Sequence, residues 1–298
     1  MALQNLLRLI RKLYKLNHQY YIDFRERRAF IQRPKSFWVN FKEKVFEDHT
    51  PVFFLSTGRC GTKLVTNILN KIPSVRCFHK PIPELIYLHR RAYEEGLERF
   101  EAYNIAICAA RFEQISECVV RGKTYVETNC RITFFAPHLY ELFPKSRFVH
   151  LIRHPGDFVR SAVCRNYYEG NYLDIGRIRP LNGVAYDAWS EMSIIERSAW
   201  LWNETNLYIE RFKKNCDSKR VITVKAEDIF SEPGAMISLI RHCGLKAPAK
   251  NRIAKWIRRP VNAQRTNKVV PRYKYWNDTM KNEVRKWIPI EQRYGYKL

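Results

Sequence analysis

Apolar positions along the chain follow two rhythms. Short runs bounded by turn residues predict five strands, at 51–56, 75–78, 123–128, 147–152 and 220–225. Between them, apolar residues three and four positions apart predict helices, clearest in Leu64, Val65, Ile68 and Leu69 and in the stretch SAWLWNETNLYI, 198–209. Strands apolar on both faces, alternating with helices, predict an α/β fold with a central parallel sheet covered on both sides. The first 48 residues read differently. Leu3, Leu6, Leu7, Ile10, Leu13 and Tyr14 share one helical face, with Arg8, Arg11, Lys12 and Lys15 opposite. We therefore expect a basic amphipathic helical arm over 1–48 and one α/β domain over 49–298. Such an arm suits an anionic membrane surface, the commoner alternative being packing on its own domain. The aromatic and turn-rich stretch 165–200 predicts a wall or lid of a pocket.

The most informative junction is PVFFLSTGRCGTKL, Pro51 to Leu64. An apolar strand runs into a small Gly-bearing turn, Ser56 to Gly61, and then into a helix. This order leaves N–H groups unpaired at a helix N-terminus, beside the positive end of its dipole, and suits a phosphate or sulfate. Arg59 and Lys63 add charge there. A Walker A motif is excluded, because Gly61 follows Gly58 too soon and Thr62 precedes Lys63; the dinucleotide pattern lacks its third glycine. Cys60 stands where a helix N-terminus would lower a thiol pKa, but no basic residue follows Lys63 to close a thiolate loop.

A second junction, RFVHLIRHPGDFVRS at 147–161, repeats the design. Pro155 ends the strand, and Asp157 is the expected N-cap of the next helix. Arg153 then leaves the strand's C-terminal end and Ser161 points back from the helix. Ligands of open α/β sheets bind at that edge. A guanidinium and a hydroxyl suit a second phosphate.

Together the two junctions resemble the PAPS-dependent sulfotransferase family. Its (R/K)-S-G-T-T loop for the 5′-phosphosulfate corresponds to Arg59-Cys60-Gly61-Thr62-Lys63. Its R-(D/H)-P strand end, with Ser eight residues beyond the Arg, corresponds to Arg153-His154-Pro155 and Ser161. FPKSRFVHLIRHP (143–155), VKAEDIFSEPGAMISLIRHCGL (224–245) and the terminal Tyr294-Gly295-Tyr296 resemble further family blocks, in order, over roughly 50–298. Cys60 stands in place of the usual Ser and Lys63 in place of the second Thr. The resemblance implies a P-loop-like α/β domain that moves a sulfuryl group from PAPS, leaving PAP, to a hydroxyl or amine acceptor, without a metal. The acceptor class is a small molecule, glycan or lipid. The implied nucleotide ligands are Arg59, Cys60, Gly61, Thr62, Lys63, Arg153, Ser161 and Arg258, with Arg265 and Lys268 as further candidates; Lys63 also serves catalysis. For the general base His79 is preferred because its ordinary pKa is near neutral, the alternative being a structural hydrogen bond. Glu127 is the rival base, or else the partner of Arg153 or Lys63; Asn129 is placed to hold the acceptor.

Charge supports an anionic ligand: 53 Lys and Arg face 29 Asp and Glu, a net +24. The competing function is a non-catalytic PAP, anion or nucleic-acid binder on the same fold; no specific nucleic acid is expected. A kinase or NTPase is disfavoured, since no acidic strand end is evident for Mg²⁺. The eight cysteines show neither zinc nor disulfide spacing and suggest a reducing, cytoplasmic setting, peripheral to membrane if the arm binds one. No run is long enough to span a bilayer.

Overall fold

A computed structural model describes residues 33–258 and 270–297. Five parallel strands form one sheet: β1 (Val52–Leu55), β2 (Val75–Phe78), β3 (Thr124–Glu127), β4 (Arg147–Ile152) and β5 (Val221–Lys225), in the order β2-β3-β1-β4-β5. Each expected strand is present: β2 and β4 have their expected bounds, β1 and β3 are a residue shorter at both ends, and β5 starts a residue later. Val52 pairs with Val126 on one side and Arg147 on the other, so all strands finish along one edge. The chain leaves β1 for the far edge strand β2, returns through β3 and crosses to β4. The β1 loop therefore opens at the point where the connections diverge, the usual place for a ligand in such sheets.

Alternation along β1 feeds two cores. Phe53 and Leu55 join Tyr125, Phe148 and Trp202 on one face, while Val52 and Phe54 join Val126 and Val149 on the other. The second face is covered by α1 (Thr62–Leu69), whose Leu64, Val65 and Ile68 are buried. The first carries α2 (Ile86–Glu95), α3 (Phe100–Val120), α4 (Ala136–Leu142), α5 (Pro155–Val163) and α6 (Ile194–Lys214). In α6 Ser193 and Glu196 form a capping box, and the stretch 198–209 is packed inside as its periodicity predicts. Then come α7 (Ala226–Ser231), α8 (Pro233–His242), α9 (Lys250–Ile257) and α10 (Asp278–Arg285). Trp276, Val284, Trp287 and Ile288 return the end of the described chain to the first core.

Residues 33–48 pack on the domain. Val45 is fully buried, and Phe46 stacks on Phe112 and Phe143 with ring centroids 6.0 and 5.5 Å away. The amphipathic repeat itself, within residues 1–32, lies outside the described residues. No described helix is long and apolar enough to cross a membrane.

Candidate active site

The β1–α1 turn is shaped by left-handed residues. Gly58 (φ 74°), Arg59 (φ 59°) and Gly61 (φ 81°) curl the backbone ahead of α1. Such a curl turns successive N–H groups to one side and forms an anion-binding concavity. Among the described residues, no acceptor takes the N–H groups of Arg59 through Lys63. The left-handed backbone explains why glycine occupies position 61, and a Cβ there would also sit 2.4 Å from the Phe230 ring. The Cys60 thiol faces inward and donates to the Gly58 carbonyl at 3.0 Å, and burial pushes its pKa up to about 12. The helix dipole does not make it a thiolate, because desolvation outweighs the dipole. What Cys60 offers to the concavity is its N–H.

Across the β1–β4 boundary, Arg59 Nε donates to Ser161 Oγ at 3.0 Å, and an Arg153 guanidinium nitrogen donates to the Arg59 carbonyl at 2.9 Å. The two junctions seen in the sequence thus meet. The α5 start differs from expectation. His154 is the N-cap and Pro155 the first helical residue, placing Asp157 inside the first turn. Proline suits that first position because it needs no N–H partner there. The His154 N–H is held instead by Glu227 at 2.8 Å, whose other oxygen accepts from Tyr296 OH at 2.9 Å. Trp202 Nε1 donates to the Arg153 carbonyl at 2.9 Å. The strand end carrying Arg153 is therefore fixed from three sides.

These groups line a cavity of about 940 Å³ along the C-terminal edge of the sheet. Over β4 and β5 it is bounded by Arg153, Ser161, Phe230 and Arg272; over β2 and β3 it is bounded by His79, Lys80, Asn129 and Arg131. Parts of 165–178 close that second half, the Tyr172–Gly176 turn packing on α2, as the composition of 165–200 suggests. Among the described residues no Asp or Glu lines the cavity.

His79 is half-buried on this wall. Burial first, then Lys80, Lys63 and Arg59, bring its pKa down to about 4. Hydroxyl bonds fix its tautomer. Thr66 Oγ1 donates to the Thr62 carbonyl at 2.9 Å, so the single Thr128 hydroxyl proton has Thr66 Oγ1 at 2.7 Å and the Phe78 carbonyl at 3.4 Å as its acceptors. Thr128 Oγ1 is left to accept from His79 Nδ1 at 3.3 Å. The proton then resides on Nδ1, and Nε2 keeps its lone pair.

Glu127 is not a base in this arrangement, nor the partner of Arg153 or Lys63. It is wholly buried and takes two bonds from Arg111 of α3, at 2.8 and 2.9 Å, with Tyr125 OH at 2.7 Å and Asn129 Nδ2 at 3.2 Å. A carboxylate so saturated serves to position Asn129. Lys63 is exposed at the cavity mouth. Arg258 is exposed at the end of α9 and does not line the cavity; Arg265 and Lys268 lie outside the described residues. Arg160, Arg165, Arg177, Arg272 and Phe230 do line it. Of these, Arg165 had a signal in its place one helical turn beyond Ser161; the others are joined to the site by folding alone.

A family model described as the sulfotransferase family matches residues 51–249, two-thirds of the chain. The chain belongs to the sulfotransferase family. Among solved structures, this sulfotransferase resembles the sulfotransferase domain from the curacin biosynthetic pathway. The identity is 16%, the match covers 84% of this chain and 99% of that one, and the TM-score is 0.51. It also resembles a sulfotransferase from Alicyclobacillus acidocaldarius at 13% identity, over 84% of this chain and 97% of that one, with a TM-score of 0.48. The first likeness establishes the fold; the second is too distant to add weight. No curated protein matches the chain by sequence.

Proposed function

We propose that this sulfotransferase uses PAPS as donor and passes its sulfuryl group to a hydroxyl or amine of the acceptor. The observation that carries this reading is the meeting of Arg59, Ser161 and Arg153 beside the unpaired N–H groups of the β1–α1 turn. The donor set fits the nucleotide. It offers N–H groups and guanidinium at two separate points, with no carboxylate on the lining of the described cavity to repel phosphate. Phe230, partly exposed against Gly61, gives a flat apolar face on the β5 side suited to a base.

Bound PAPS supplies an activated sulfuryl group on a phosphate leaving group. Arg59, Lys63 and the turn N–H groups stabilise charge gathering at the turn, in a half-closed cavity where such donors act strongly. Arg153 and Ser161 hold a second phosphate and fix the direction of approach. His79 takes the acceptor's proton through Nε2, being neutral throughout the neutral pH range.

The test is calorimetric titration with PAP in moderate salt without Mg²⁺. Micromolar binding weakened about tenfold or more by Arg153→Ala and by Ser161→Ala is expected, as for loss of a charge-assisted contact. Absence of binding would remove the donor assignment. Given turnover, Arg59→Ala should cut it at least about a hundredfold, the loss usual for one oxyanion donor. Unchanged turnover would show that Arg59 does not act on the leaving group. PAP binding without turnover in any acceptor screen would favour the non-catalytic alternative.

A further inference from the structure

Positive charge in the cavity does not end at the donor side. Besides the donor cations, the cavity is lined by Lys80 and Arg131 at the β2–β3 half and by Arg165 and Arg177 at either end of the segment that closes it, and their internal compensation is incomplete. Glu84 alone serves two of them, at 3.5 Å from Lys80 and in direct contact with Arg131. Arg177 is matched by Asp174 and lies 3.3 Å over the Tyr167 ring. Arg165 has neither kind of support. Among the described residues it makes no ion pair, and its Nε, shut off from solvent, has no acceptor. Arg165 also adds its charge to the field that destabilises protonated Arg59.

A buried guanidinium N–H without an acceptor is costly unless a ligand completes it. The donor has its own cations in Arg59, Lys63 and Arg153. Arg165 begins the 165–178 segment, which leaves α5 and closes the β2–β3 half by packing on α2. We propose that the acceptor is itself an anion, carrying a carboxylate or phosphate beside the group that receives the sulfuryl, and that Arg165, with Lys80 and Arg131, binds this charge. The proposal rests on the donor assignment above. It names a selection rule: an uncharged acceptor leaves Arg165 uncompensated, whereas a fixed anion satisfies it and sets the nucleophile's position relative to His79.

Three probes on one scaffold test this: 4-nitrophenyl glucoside, its 6-phosphate and the corresponding glucuronide. Each is titrated by ligand-observed NMR into the full chain saturated with PAP. At least one anionic probe should bind about tenfold or more tightly than the glucoside, as expected for one charge-assisted contact. Which of them does so separates carboxylate from phosphate. Arg165→Ala should bring the preference within about twofold of none, and Arg165→Lys should keep part of it. In both variants PAP affinity should stay within about twofold of wild type. Lys246→Ala controls for the net charge and should change nothing, since Lys246 is exposed, does not line the cavity, and follows Gly244, which lies against Arg147 at the start of β4. Equal or undetectable binding of all three probes overturns the proposal, as does a preference that survives Arg165→Ala. A tenfold loss of PAP affinity in Arg165→Ala also overturns it, by returning Arg165 to the donor. Failure of PAP to bind the wild-type protein is a separate result, which removes the donor assignment and this proposal with it.

Discussion

Thr128→Val would remove the hydroxyl that accepts the His79 Nδ1 proton while leaving a branched side chain of similar size at a wholly buried position. The histidine could then exchange tautomers, and its Nε2 would spend time protonated. We expect kcat to fall at least about tenfold, part of the hundredfold or more that a positioned base supplies, with PAP affinity unchanged. Equal losses in PAP binding and turnover would instead mark Thr128 as a prop for the turn. Arg111→Met tests a different kind of residue. It would leave Glu127 charged and buried, costing about 3–5 kcal/mol in a urea titration, whereas replacing both partners with apolar residues should cost much less. The difference between the two pairs explains what was legible. His79, Arg59, Arg153 and Ser161 sit at strand ends or one turn into helices, so local pattern placed them near the cavity. The partner of Glu127 lies in the middle of α3, and nothing local distinguishes Arg111 from a solvent-facing arginine. Cys60 was misleading for a related reason: the sequence displays the helix N-terminus, but not the burial that overrides its dipole.

At the scale of elements, glycine marks places where segments touch closely. Gly176→Ala would put a Cβ 2.1 Å from the Ile86 carbonyl oxygen, a backbone atom that cannot swing aside. The turn at Tyr172–Gly176 should therefore lift from α2, raising the acceptor KM while PAP binding holds. An unchanged acceptor KM would show that this turn is not part of the acceptor wall. Gly61→Ala is milder in space, because the Phe230 ring can move, yet it forces alanine into a left-handed conformation. PAP affinity should drop through displacement of both the turn and the ring. The strands and α1 were readable because parallel strands buried on both faces are near-continuous apolar runs. The start of α5 was not, because Asp157 resembles an N-cap by composition, while Pro155 had already set the first helical dihedral.

At the scale of the whole molecule, burial keeps several of the described histidines uncharged. Burial lowers the pKa of His49, His79 and His138 to about 4 and that of His89 to about 3. Below the ordinary value of 6.5, the unfolded chain binds protons that the folded one refuses. Stability is thus complete above about pH 6.5 and declines as the pH falls towards 4. The urea midpoint should fall steadily from pH 7 to pH 4.5; a flat profile would show these rings to be solvated. For catalysis the same shift moves the acid limb of kcat/KM well below pH 6.5, provided His79 is the base. Trp202 offers something else. Its indole is fully buried, and its proton is held by the carbonyl of Arg153. In a ¹⁵N-labelled sample that single Nε1–H signal is a gauge built into the fold: it should exchange slowly with deuterium and shift when an anion settles on Arg153, reporting occupancy before any acceptor is known.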